Sequence, residues 1–172
     1  MEITEENKAC HPFPFYILTA LHIFAKQNAA AMNIQTQSIY HIILSTLNNE
    51  NTLVKNGQRV LFKYIWEHLK NKNCELLRIN GTANHLHLAV NISPIIPLDA
   101  LIKDIKQSST DFIGESHLFP AFAGWQDGYT AFTHSFKEKK ELIDYIKKQE
   151  EYHQKSTFEE EISQLIKMHG LA

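Results

Sequence analysis

Two histidines stand two residues apart in NHLHLAV (Asn84–Val90). In a β-strand, residues i and i+2 point to the same face. The pattern therefore sends Leu86, Leu88 and Val90 to a core and leaves His85 and His87 side by side on the other face. One histidine on a half-solvated face needs no function. Two adjacent imidazoles make an incipient site for a divalent cation, because imidazole is a common metal ligand. The pair has to find its partners elsewhere in the chain.

The second group with chemical potential is DYIKKQEEYH, residues 144–153. On a helix, Tyr145 and Gln149 are four apart and share a face, and Tyr152, seven beyond Tyr145, shares it too. A phenol is a nucleophile once it loses its proton, and an amide oxygen is a metal ligand. Spacing alone leaves Tyr145 as either a core-facing tyrosine beside Ile146 or a chemical group. It leaves Gln149 as either a ligand or an ordinary surface residue.

Positioning these residues is the task of a regular alternation of elements. SIYHIILSTL (residues 38–47) is β-branched and apolar, a predicted central strand. Asn56-Gly57 is a turn signal. QRVLFKYIWEHLKNKN then spaces Leu61, Tyr64, Ile65, His68 and Leu69 as an amphipathic helix. CELLRIN and HLHLAVN are predicted strands joined by GTAN, a hairpin connection. A second helix is predicted from Leu98 to about Ile113, with Gly114 as its stop. An aromatic-rich strand region, AGWQDGYTAFTHSF, follows. The capping boxes Ser135-x-x-Glu138 and Thr157-x-x-Glu160 open two more helices, the first running to His153 and carrying Tyr145. The order β-α-β-β-α-β-α-α implies an α+β fold, a ferredoxin-like antiparallel or mixed sheet with helices on one face.

The 172 residues suit one folded domain, and the formal charge of −2 does not advertise a nucleic-acid partner. The charge is unevenly spread. Residues 1–31 and 150–172 are acidic overall and leave the middle slightly positive, which permits DNA binding without diagnosing it. Cys10 and Cys74 form no CxxC pair and suit a reducing cytoplasm. The apolar run HPFPFYILTALHIFA has two prolines, acidic residues before it, and fewer than the ~18 apolar residues of a membrane span. It reads as neither signal peptide nor anchor. Residues 1–31 are expected to be an extension preceding a natural start at Met32, with the functional domain at 32–172.

HLHLAV resembles the histidine-hydrophobic-histidine (HUH) motif, and YIKKQ resembles the Tyr-x-x-x-Gln motif of the single-tyrosine HUH transposases of small insertion sequences and their REP-associated relatives. YHIILSTLN, NGTANHLHLAV, LIKDIKQSSTDFI and GWQDGYTAFTHS are also similar to that family's first strand, hairpin, second helix and fourth strand region, from about Ile34 to the C-terminus. The resemblance implies a metal held by His85, His87 and Gln149, with Mg²⁺ or Mn²⁺ as the cation, and Tyr145 as the nucleophile on a C-terminal helix. It implies a single-stranded DNA hairpin as partner, a 5′-phosphotyrosine intermediate, a homodimer, and work in the bacterial cytoplasm at the nucleoid. Only the family register prefers Tyr145 to Tyr152, the alternative nucleophile. Lys103, Lys106, Ser108 and Ser109 on the second helix suit phosphate contacts, and a solvated helix face explains them as well.

The chemistry stands beside the resemblance. A phenol with an ordinary pKa near 10 needs help to attack phosphorus, and a divalent cation on the phosphate supplies it. Three such ligands are too few and too hard for a closed zinc site. Two other readings remain open: a metal-dependent phosphodiesterase using water, and a catalytically silent DNA-binding relative. Cupin chemistry lacks its following glutamate, and the two-histidine phosphoesterases lack their second His-x-Ser/Thr element. His41 in the first strand is a candidate for supporting the dyad. His68 is expected in the core, and Trp125, Tyr129 and Phe132 in sheet packing.

Overall fold

The computed structural model describes residues 36–171, and the expectation for residues 1–31 lies outside that range. Four strands form one sheet: β1 (Ile39–Ser45), β2 (Glu75–Gly81), β3 (His85–Asn91) and β4 (Thr130–His134). Their spatial order is β2-β3-β1-β4, and every neighbouring pair is antiparallel. Between them run α1 (Lys55–Asn71) and α2 (Leu98–Ser116). After β4 come α3 (Lys139–Lys147), the single turn α4 (Gln149–Tyr152) and α5 (Phe158–Met168). Among the described residues no helix is long and apolar enough to cross a membrane.

Alternation along the strands divides the sheet into two faces. Ile42, Leu44, Leu86, Leu88 and Val90 point to the face covered by α1 and α2, where Leu61, Ile65, Leu69, Leu101, Ile102 and Ile105 complete the main core. That is the ferredoxin-like arrangement the element order implies. The opposite face is also covered. Leu142 and Ile146 of α3 pack on Ile39 and Ala89. Phe158, Ile162, Leu165 and Ile166 of α5 pack on Ile43 and Phe132. Helices therefore lie on both faces rather than one, and the histidine face is interior.

Several boundaries differ from the sequence reading for local reasons. Asn56-Gly57 is not a turn but the start of α1, where the edge of the Phe119 ring lies 2.4 Å from the point a Gly57 Cβ would occupy. Gly114 does not stop α2. The helix runs on to Ser116, and His117 closes it in the left-handed conformation at φ 51°. The predicted single helix carrying Tyr145 is broken. Its capping box opens a 3-10 turn at Phe136–Glu138, and a junction at Lys148 separates α3 from α4. The Asn80 amide of β2 donates to the carbonyls of Ile146 and Lys147 at 3.0 and 3.1 Å, satisfying orphan groups at the end of α3.

Candidate functional site

Sheet register places the histidines. β1 and β3 pair Ile43 with His87 and Ser45 with His85, so both imidazoles leave the sheet beneath α3–α5. They are 1% and 0% exposed. Each ring is oriented through its Nδ1. The His85 Nδ1–H donates to the Asn84 side-chain oxygen at 2.7 Å, and Thr82 Oγ donates to the same oxygen. His87 Nδ1 lies 2.8 Å from His41 Nε2. With His87 as donor there, both Nε2 atoms carry bare lone pairs, the arrangement by which neighbours fix a ligand's tautomer.

From the other side, α3 brings in Tyr145 and α4 brings in Gln149. The Tyr145 ring lies 6.1 Å from His87 and 5.8 Å from His41, centre to centre. Gln149 is fully buried. Tyr145, Gln149, His85 and His87 therefore meet within one chain. Tyr152 lies farther out, its hydroxyl donating to Gln164 at 2.8 Å on the exposed side.

Two residues that sequence reasoning did not single out complete the centre. Glu161 of α5, fully buried, accepts hydrogen bonds through Oε1 from the Tyr145 hydroxyl and, at 2.9 Å, from Gln149 Nε2. Its Oε2 faces three imidazole nitrogens: His153 Nε2 at 2.9 Å, His87 Nε2 at 3.4 Å and His85 Nε2 at 3.7 Å. The signal for Glu161 was present. Phe158, Glu161, Ile162 and Leu165 follow i, i+3, i+4, i+7 spacing, so a carboxylate occupies an apolar-stripe position.

Burial opposes the Glu161 charge, but the nearby His87 imidazole and the hydrogen bonds from Tyr145 and Gln149 outweigh it and hold the carboxyl well below its ordinary range. Burial, followed by the Glu161 hydrogen bond and charge, pushes the Tyr145 phenol up. Burial pushes His85 down to about 3, with His87 and His153 adding to it. Burial also lowers His87 and His41. Nε2 of His85, Nε2 of His87 and Oε1 of Gln149 are buried without hydrogen-bond partners. Three electron-rich orphans beside an ionised carboxylate fit a bound cation, since an unpaired buried polar atom is otherwise costly.

The residues proposed for phosphate contacts lie across the sheet, on α2. Lys103 is exposed and paired with Asp99 at 2.9 Å. Lys106 donates to the carbonyls of Gln126, Asp127 and Gly128, clasping the loop before β4. Ser108 bonds the Ile105 carbonyl and approaches His68, which pairs with Asp104 between α1 and α2. Ser109 is fully buried and accepts from the Trp125 indole, so its position leaves no surface for a phosphate. Trp125 and Phe132 are buried in packing, and Tyr129 is exposed.

A family model described as "Transposase IS200 like" matches residues 34–149, about two thirds of the sequence. The chain belongs to the IS200-like transposase family. That makes it a DNA transposase by class, and the match spans the histidine pair, Tyr145 and Gln149. Solved structures share the fold. A provisionally assigned transposase from Deinococcus radiodurans R1 aligns with a TM-score of 0.54 at 21% identity, covering 68% of this chain and 94% of that one. A REP-associated tyrosine transposase bound to a REP hairpin aligns with a TM-score of 0.55 at 14% identity, covering 70% of this chain and 72% of that one. A search of curated proteins returns no match.

Proposed function

We propose that this transposase cleaves and rejoins single-stranded DNA beside hairpin ends through a 5′-phosphotyrosine on Tyr145, using a divalent cation held at His85, His87 and Gln149. The observation that carries the reading is the convergence of the Tyr145 hydroxyl and the orphaned Nε2 atoms on one buried carboxylate. The hairpin substrate is carried over from the REP-hairpin complex of the fold relative.

Tyr145 Oη attacks the scissile phosphorus, an O–P bond forms, and the P–O3′ bond breaks to release a 3′-hydroxyl. The phenolic proton already points at Glu161 Oε1, which is the acceptor nearest to hand. One phosphodiester replaces another, so resealing by a 3′-hydroxyl needs no nucleotide cofactor. When bound, the cation supplies Lewis-acid polarisation of the phosphate and offsets its developing charge. Of Mg²⁺ and Mn²⁺, imidazole ligation favours Mn²⁺. His41 holds His87, Asn84 holds His85, and Asn80 holds the end of α3. Backbone charge would give affinity for the DNA strand and unpaired bases its specificity. The family resemblance adds a homodimer working in the cytoplasm, with residues 32–172 sufficient for the chemistry.

The test is a labelled single-stranded hairpin oligonucleotide incubated with Mn²⁺ or Mg²⁺ and resolved on a denaturing gel. A covalent protein–DNA adduct is expected, absent in Tyr145→Phe and present in Tyr152→Phe. Cutting without an adduct would make the protein a water-using phosphodiesterase. A mobility shift without cutting would make it a silent DNA-binding relative.

A further inference from the structure

We propose that His153 and Glu161, from the segment beyond the tyrosine helix, complete with His85 and His87 a buried three-nitrogen, one-oxygen cage for a transition-metal cation of the Zn²⁺ or Co²⁺ class. This rests on the reading of the histidine pair as a divalent-cation site; His153 and Glu161 join the pair as donors, and Gln149 moves from ligand to holding the carboxylate through Nε2.

His153 Nδ1 faces the Ser156 carbonyl at 3.0 Å, and a carbonyl only accepts, so Nδ1 carries the hydrogen. His153 Nε2 then faces a carboxylate oxygen 2.9 Å away. His85 repeats the pattern: its Nδ1 donates to Asn84, and its bare Nε2 turns to the same oxygen. His87 Nε2 joins them at 3.4 Å and is unpartnered. Three imidazole nitrogens, two of them orphaned, and a carboxylate oxygen converge in one buried space, an arrangement that a shared cation satisfies.

Ligands bound to one cation at ~2.0–2.2 Å sit about 3–3.5 Å from one another. Glu161 Oε2 lies 2.9, 3.4 and 3.7 Å from the three nitrogens. The four donor atoms lie within 4.8 Å of one another, and the four residues form the only such group among those described. A simple ion pair would explain one of these distances. It does not explain two orphaned nitrogens turned toward an oxygen already hydrogen-bonded elsewhere.

Mg²⁺ prefers six oxygen ligands and keeps its waters, whereas imidazole-rich sites rank Zn²⁺ and Co²⁺ above Mn²⁺. Gln149, through Nε2, holds the remaining carboxylate oxygen, the outer hydrogen bond that fixes a ligating carboxylate. The same cation then ties α5 to β3. The C-terminal segment becomes part of the metal centre and not only a cover for the sheet.

The full chain, stripped with a chelator, is titrated with Co²⁺ and followed by visible absorption, then with Zn²⁺ and Mg²⁺ as competitors. One equivalent of Co²⁺ should give the intense bands of low coordination, abolished by Zn²⁺ and untouched by millimolar Mg²⁺. Outer hydrogen-bond partners of metal ligands typically change affinity by 10–100-fold. Loss of a direct donor in Glu161→Gln or His153→Ala should therefore weaken Co²⁺ binding by at least about 100-fold. His153 sits at the rim of the site with a side chain 12% exposed, so His153→Ala carries the test should Glu161→Gln not fold. Unchanged Co²⁺ affinity in both variants, with binding lost in His85→Ala, would overturn the four-donor cage and leave the histidine pair as the site. No Co²⁺ bound by the unaltered chain would overturn both.

Discussion

Asn80→Ala isolates how Tyr145, the proposed nucleophile, is held. Asn80 belongs to β2, at the opposite edge of the sheet from β4, the strand that precedes Tyr145 in sequence, and its amide donates to the carbonyls of Ile146 and Lys147. Net worth per neutral hydrogen bond is about 0.5–1.5 kcal/mol, so losing both should destabilise the domain by roughly 1–3 kcal/mol. At roughly 3–5 °C per kcal/mol for a domain of this size, the thermal midpoint should fall by about 3–15 °C. The larger effect is expected on chemistry. Misplacing a reacting group by about 1 Å can cost on the order of 100-fold, and Asn80 is what fixes the last turn of α3, where Tyr145 sits. The assay is single-turnover adduct formation on a hairpin oligonucleotide at a temperature where both proteins are folded, alongside binding of the same oligonucleotide. The adduct rate should drop while binding stays within a few-fold. Asn80→Asp, which turns an acceptor toward two carbonyls, should be worse than alanine. Lys147→Ala, exposed and adjacent, should change neither rate nor binding. An adduct rate unchanged in Asn80→Ala despite the lost stability would refute the claim that this strand positions the tyrosine helix.

Other outcomes follow from burial and close approach. His41, His85 and His87 are held below their ordinary value, so below about pH 6.5 the unfolded chain takes up protons that the folded chain refuses. Stability in chelator should be full above pH 6.5 and decline below it, for His85 down to about pH 3, by at most about 1.4 kcal/mol per pH unit for each histidine; equal urea midpoints at pH 7 and 5 would contradict this. Gly81→Ala would put Cβ 2.2 Å from the His85 carbonyl, backbone that cannot yield, whereas Gly57→Ala meets the Phe119 ring, which can shift. Denaturant unfolding should show Gly81→Ala as the more damaging, with Gly57→Ala costing about 1–3 kcal/mol and partly rescued by Phe119→Leu.

What the sequence made legible was whatever a single element states about itself. HLHLAV carries its own period of two, and β3 divides its residues between faces as that period demands. Thr157-x-x-Glu160 states a helix start, and both halves of the capping box form. What it concealed was set by groups distant along the chain. The junction at Lys148 is finished by an amide 68 residues earlier, so YIKKQ reads as unbroken helix. Gly57 opens a helix because a ring from the segment after α2 packs on it. The histidine face looked half-solvated because the element order implied helices on one face of the sheet. The apolar stripes of α3 and α5 had no visible destination until the sheet order was known. Glu161 was hidden inside Glu159–Glu161, a run that reads as first-turn acid near a helix N-terminus. Glu159 and Glu160 are exposed and fill that role, and only the third member of the run turns inward.

The inward turn of Glu161 gives the centre an internal logic. A carboxylate is a poor neighbour for a phenol that must lose a proton: at about 4 Å and an effective dielectric near 20, two like charges repel by about 4 kcal/mol, close to three pKa units. In the bare site Glu161 therefore opposes ionisation of Tyr145, which is the direction in which the phenol is displaced. A divalent cation among the imidazoles would offset that field, because the pair of carboxylate and cation carries a net positive charge. One glutamate then does two jobs that pull against each other until metal arrives. In the proposed centre it would recruit the cation, and without one it keeps Tyr145 protonated. The proposed nucleophile would then be conditional on a loaded centre, which suits chemistry that breaks DNA strands.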